Sequence, residues 1–220
     1  MKTVVFSDVH GNLPALEAML CHAGLVDRYV CLGDVVNYGP WSDECAERVA
    51  ALPACERLMG NHDLAFLRGE YVGMHPVARA FFDFCHPRFH RCELLAGYTE
   101  SCAVGTFRAQ HTLNAGYVFA DTPLNLDRDY LIGHSHHQFA READGHRLVN
   151  AGSVGQNRSD LRVCHYVVHG PGPGEVRLAG CSYDLMSVLE EMRRQGYPAI
   201  CLDYYLGKIG SGAPLLPPQL

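Results

Sequence analysis

The chain has 220 residues, 48% of them hydrophobic and 19% charged, and a formal net charge of -6. That length supports one well-buried domain and is short for two. An acidic chain without a Lys/Arg run is a poor match for a stable nucleic-acid complex, because basic side chains supply most of that affinity. A small phosphate ester stays compatible, since bound cations can supply local positive charge.

In chain order, Val4-Val5-Phe6 is a short β-rich run stopped at once by Ser7-Asp8. It is far too short for a signal-peptide core, and no stretch approaches the roughly 18 apolar residues of a membrane span. The 10 cysteines include no Cys-x-x-Cys and are expected to be reduced and mostly buried, so the expected location is cytoplasmic. Asn12 is a good N-cap with Pro14 in the first turn; Leu13, Leu16 and Leu20 follow at helical spacing, and Gly24 is a plausible stop.

The pattern then repeats. Tyr29 to Leu32 reads as a strand, Gly33-Asp34 as a loop, and Ser42 as the cap of a second helix. Glu56 to Met59 reads as a third strand before Gly60-Asn61-His62-Asp63. Strands alternating with helices imply a parallel βαβ half. Residues 76–86 are expected to be helical. Short alternating runs around 98–104, 106–111, 129–132, 138–142, 146–149, 162–168 and 174–181 suggest antiparallel strands, with turns such as Asp144-Gly145. Asp184 caps a last helix with Leu185, Val188, Leu189 and Met192 on one face, ended by Gly196 and Pro198. Residues 1–210 read as a single domain and 211–220 as a loosely ordered tail.

Polar clusters follow the β-like runs: Asp8-x-His10, Gly33-Asp34, Gly60-Asn61-His62-Asp63, His111 and Gly133-His134-Ser135-His136. In open α/β sheets, ligands bind at the carboxyl ends of strands, so residues far apart in sequence can meet there. Asp8, His10, Asp34, Asn61, His111, His134 and His136 are all O or N donors for divalent transition metals. They are too many for one tetrahedral ion and suit two, especially with one bridging carboxylate. Ions roughly 3.5–4 Å apart can hold a hydroxide and clamp the entering and leaving oxygens. Each cluster alone is weak evidence; the weight lies in their order and in their place after β-like runs.

Together these residues resemble the calcineurin-like metallophosphoesterase superfamily, whose motifs run Asp-x-His, Gly-Asp, Gly-Asn-His-Asp/Glu, a lone His and Gly-His-x-His. The stretches Ser7 to Asn12, Gly33 to Pro40 and Asn150 to Gln156, with Tyr183-Asp184, are similar to its small prokaryotic phosphodiesterase-like branch. The resemblance implies an α/β (α+β) fold, a four-layer αββα sandwich of two mainly β layers flanked by helices. It also implies that Asp8, His10 and His136 hold one metal, Asn61, His111 and His134 a second, and that Asp34 bridges. His62 would serve the leaving oxygen, with Asp63 orienting it. Thr112 after His111, Asn37 and Ala151 depart from the usual Gly, Gly and Pro.

The expected activity is that of a phosphoesterase, first a phosphodiesterase, in which a metal-bridging hydroxide attacks phosphorus in line. A phosphomonoesterase or dinucleotide pyrophosphatase on the same site is the alternative within enzymes, and a non-catalytic scaffold the alternative outside them. Manganese is the first choice of metal; Fe, Zn, Ni and Co accept the same donors. The expected partner is a small phosphate ester, with a nucleotide among the candidates and Asn12, Tyr38 and Arg158 as candidate contacts. His137 is expected to face away from His136.

Overall fold

The computed structural model describes residues 1–209 except 115 and 173, so the expected tail at 211–220 lies outside the described residues. The parallel half begins with β1 (Thr3–Phe6), α1 (Leu13–Ala23), β2 (Arg28–Cys31), α2 (Ser42–Ala50) and β3 (Cys55–Arg57). Asn12 caps α1, accepting the Ala15 N–H at 3.2 Å. Ser42 does not cap α2. It is the first helical residue, behind Trp41, and its hydroxyl instead accepts the Asn37 N–H.

Three features depart from the expected elements. A helix, α3 (Asn61–Arg68), starts directly at the Gly-Asn-His-Asp motif. It is followed by α4 (Pro76–Cys85) and α5 (Cys92–Leu95). The second half contains β4 (Ser101–Val104), β5 (Phe107–Gln110), β6 (Tyr130–Ile132), β7 (Gln138–Ala143) and β8 (His146–Ala151). It is not uniformly antiparallel, because β6 runs parallel to both β5 and β8. The long connection 111–129 lets the chain cross over between β5 and β6 in the same direction. After β9 (Val163–His169), β10 (Val176–Ser182) and α6 (Leu185–Arg194), Pro198 does not close the helical region but precedes α7 (Ala199–Leu206).

The strands form two five-stranded sheets, β10-β9-β1-β2-β3 and β4-β5-β6-β8-β7. Both are mixed and flanked by helices, the sandwich that the sequence implied. Strand alternation divides their side chains. In β1, Val5 points into the core between the sheets with Val30, Leu58, Phe107, Leu131 and Val149. Val4 and Phe6 point the other way, into the helix-covered core with Leu16, Met19, Val188 and Leu189. The outer face of the second sheet buries Ile132, Phe139 and Leu148 against Leu113, Val118 and Leu126. Residues 111–129 therefore act as a cover as well as a crossover. Among the described residues no helix is long and apolar enough to cross a membrane.

Candidate metal centre

Asp8 and His10 follow β1, Asp34 follows β2, Asn61 opens α3, His111 follows β5, and His134 and His136 lie between β6 and β7. Both sheets thus deliver their ligand-type residues to one edge. Asp8, His10, Asp34, His134 and His136 all have φ between 49° and 65°. This left-handed backbone is costly for residues other than glycine and is concentrated where function constrains the chain. His134 and His136 share it within the loop between β6 and β7. The two rings converge because both residues leave the strand conformation. Gly60 is required by close approach: a Cβ there would lie 2.1 Å from Asp34 Oδ1.

Among the described residues the donors form three groups: Asp8, His10 and His136; Asp34, His111 and His134; and His10, Asp34 and His62, which joins the other two. Asp8 Oδ1 lies 3.1 Å from His136 Nε2, and His10 Nε2 lies 3.3 Å from His136 Nε2. Asp34 Oδ2 lies 3.2 Å from His111 Nε2 and 3.9 Å from His10 Nε2, so it faces both groups. His111 Nε2 is also 3.0 Å from Asn61 Oδ1 and 3.2 Å from His134 Nδ1. Thr112 does not obstruct this arrangement, because its hydroxyl turns away to the Gly116 carbonyl.

Backbone carbonyls fix the ring tautomers. The Nδ1–H groups of His10, His111 and His136 donate to the carbonyls of Val36, Leu32 and Gln156 at 3.1, 3.0 and 2.8 Å. Each Nε2 is thereby turned towards the cluster, the usual support for a metal-binding imidazole. Asp8 Oδ1 and Asp34 Oδ2 are buried without a protein hydrogen-bond partner. Buried carboxylate oxygens left short of protein donors, with imidazole nitrogens converging on them, are a set that bound cations would satisfy. The donor set therefore fits two divalent ions.

The electrostatics agree. Burial opposes ionisation of Asp34, but His111, His62 and His10 hold its carboxyl well below the usual range. Burial likewise opposes ionisation of Asp8, and His136 and His111 outweigh it. Burial depresses His10 and His62. Burial, then the charge of His111, lowers His134 to about 4. His111 runs the other way: burial depresses it, yet the neighbouring Asp34 carboxylate lifts it to about 9.

His62 lies beside this cluster, its backbone N–H bound to Asp34 Oδ1 at 2.7 Å. The expected orienting contact from Asp63 is absent. Asp63 instead accepts the N–H groups of Asp34, Val35, Val36 and Gly60. At the head of α3 its carboxylate is aimed back at the loop after β2. The ring partner of His62 is Asn37, whose Nδ2 lies 2.9 Å from His62 Nδ1. An amide N–H donated to Nδ1 leaves the imidazole proton on Nε2. Asn37 has φ 76°, which asparagine tolerates better than most residues. The sequence drew attention to it only as a departure from glycine.

A cavity of about 480 Å³ opens over the cluster and is lined by residues including Asp34, Asn61, His62, His134 and His136. Tyr38 and Arg158 line it. Asn12 does not. Its Oδ1 caps α1, and its Nδ2 donates to the Gly155 carbonyl and the Tyr183 hydroxyl. Those bonds make it a structural link between α1 and the segment before β9. Tyr71, Tyr117, Phe119, Tyr204 and Lys208 line the cavity without a motif to mark them, and His137 lines it beside Phe119 instead of being turned away.

A two-sheet sandwich with paired His/Asp donors at the strand ends defines the metallophosphoesterase class. A sequence model of the calcineurin-like phosphoesterase superfamily domain matches residues 1–170, and the chain belongs to that superfamily. Its fold is similar to that of a metallophosphoesterase from Sphaerobacter thermophilus, at TM-score 0.75 and 26% identity, covering 95% of this chain and 99% of that one. A hypothetical protein from Pyrococcus horikoshii shares the fold at TM-score 0.78 and 14% identity, covering 93% and 97%. An uncharacterized protein of Methanocaldococcus jannaschii is 25% identical over 88% of this chain and 93% of its own length.

Proposed function

We propose that this protein is a dinuclear-metal-dependent phosphoesterase acting first on phosphodiesters, with manganese as the expected metal. The observation that carries the reading is a pair of donor groups, with Asp34 Oδ2 facing a histidine of each, beneath an open cavity. Asp8, His10 and His136 would hold one ion, Asn61, His111 and His134 the other, and Asp34 both. Once bound, the ions supply Lewis acidity, acidifying a water and neutralising charge on the phosphoryl oxygens.

The chain's own groups do the rest. Val36, Leu32 and Gln156 keep the imidazole Nδ1 protons in place, so the ring lone pairs point inward. Asn37 holds the His62 ring with its proton on Nε2, ready to be delivered to a leaving alkoxide. Two tyrosines line the cavity beside different histidines, Tyr71 next to His62 and Tyr117 on His134. Room for two organic arms favours a diester over a monoester.

The test is hydrolysis of bis(p-nitrophenyl) phosphate against p-nitrophenyl phosphate by protein stripped of metal and reloaded with manganese. Metal-dependent turnover with the diester faster is expected. Faster monoester turnover would move the assignment to a phosphomonoesterase. No turnover of either ester with both ions bound would favour a non-catalytic scaffold.

A further inference from the structure

One wall of the cavity has more than the metal chemistry requires. The ring of Tyr117 stacks on that of His134, with centroids 4.4 Å apart and planes 20° apart. Phe119 continues the surface, 6.3 Å from Tyr117 and 15° from parallel. Both rings come from the crossover 111–129. Tyr117 is 62% and Phe119 40% exposed, among the few large apolar side chains left open to solvent. Isolated exposed rings need no explanation, but two parallel rings that extend a proposed metal ligand into a cleft form a stacking platform.

The platform ends at positive charge. His137 meets the edge of Phe119, and Arg158 and Lys208 line the same cavity. Neither cation forms a salt bridge with a carboxylate among the described residues. The Arg158 guanidinium sits 5.8 Å from the Tyr204 ring centroid and reaches the Tyr38 hydroxyl. Asp34 is the one acidic side chain among the cavity's described lining residues. Two cations without acidic partners, at one rim of a cavity in a protein of net charge -6, imply an anion supplied from outside. The scissile phosphate would sit over Asp34, so this anion is a second one.

Resting on the phosphodiesterase reading above, we infer that the preferred substrate is a short nucleotide-like phosphodiester whose base stacks on Tyr117 and Phe119 and whose additional terminal phosphate is held by Arg158 and Lys208. Arg158 suits this role because a guanidinium can engage a phosphate through two parallel N–H bonds. Stacking tolerates any base, so the platform selects for an aromatic ring and not for a sequence.

The matched pair thymidylyl-thymidine and its 5′-phosphorylated form tests this. The two differ only in the terminal phosphate. With manganese-loaded protein, the phosphorylated form should have a kcat/KM higher by about tenfold or more, the advantage of a charge-assisted phosphate contact. Arg158→Ala and, separately, Lys208→Ala should each bring that ratio close to one. Tyr117→Ala should lower kcat/KM for both dinucleotides by about tenfold, the loss of one stacked ring, and leave their ratio in place. Equal kcat/KM for the pair in the unsubstituted protein, or a ratio that survives both cation substitutions, overturns the phosphate half. Undiminished turnover in Tyr117→Ala overturns the platform half. If the protein hydrolyses bis(p-nitrophenyl) phosphate but neither dinucleotide, the substrate assignment is overturned and the phosphodiesterase reading stands. If it hydrolyses none of the three, that reading fails, and calorimetric titration of the metal-loaded protein with the two dinucleotides decides the phosphate site alone, with tighter binding of the phosphorylated form supporting it and equal affinity overturning it.

Discussion

Asp63 accepts the backbone N–H of Asp34 at 2.7 Å, so one buried carboxylate sets the position of the other. The same side chain takes the N–H groups of Val35, Val36 and Gly60. Asp63→Ala would leave these donors buried without an acceptor. Each unsatisfied group costs on the order of 1–3 kcal/mol, so an overall loss of about 3 kcal/mol is expected even after partial relaxation. Urea unfolding of the stripped protein measures it; a loss below about 1 kcal/mol would mean that the loop after β2 is held by other contacts.

Asn37→Gly separates the positioning of His62 from the integrity of the fold. Glycine accepts the φ of 76° without strain, so the unfolding midpoint should change little. The hydrogen bond to His62 Nδ1 disappears, and kcat should fall by about tenfold with metal content intact, as expected when a working imidazole loses its orienting partner. An unchanged kcat would remove Asn37 from the site.

His62→Ala tests the proton donor itself. Metal analysis should still find both ions, while kcat for a diester with a poor leaving group drops by about 10²–10⁴. The loss should shrink for p-nitrophenolate, which departs without needing a proton. Equal losses for both leaving groups would contradict the role.

Asp34→Asn should disturb both donor groups at once, because Oδ2 faces His111 and His10 together. Metal analysis after exhaustive dialysis should then show well under two ions per chain. Two ions still retained would exclude a shared carboxylate.

Metal uptake should release protons. His111 is lifted to about 9 in the ion-free protein, so at neutral pH it carries a proton that must leave before its nitrogen can bind a cation. Affinity should therefore fall as pH drops below about 9 and rise towards it. Manganese titrations in buffers of different ionisation enthalpy would count the released protons. Apparent heats that are identical in every buffer would exclude the displacement.

The opening of the chain was legible because its signals are local: a β-branched run, Asn12 as cap and Pro14 in the first turn all act over a few residues. The order of the Asp, Asn and His motifs led to the family for the same reason. α3 was missed because Asn61-His62-Asp63 carries turn-forming polar residues, and their helix is fixed by bonds from Asp63 to a distant loop. α7 was missed because Pro198 reads as a stop, although proline is equally suited to stand before a new helix. The parallel pairing of β6 depends on a crossover with no helical pattern to announce it. Tyr117, Phe119 and Lys208 reach the cavity through tertiary placement alone, and no spacing in the sequence marks them.

The seam between β1 and the later segment 153–169 fixes when the site can come into being. Every proposed ligand, from Asp8 to His136, has been synthesised by residue 136. Asp8 is nevertheless clamped by groups that come later: the Ser153 hydroxyl and the Gly155 N–H both donate to its carbonyl, at 2.8 and 3.0 Å. β9 then closes the sheet alongside β1. A nascent chain that has already made all of its ligands would still lack a finished cation cradle, and metal competence should appear only as the closing strands dock.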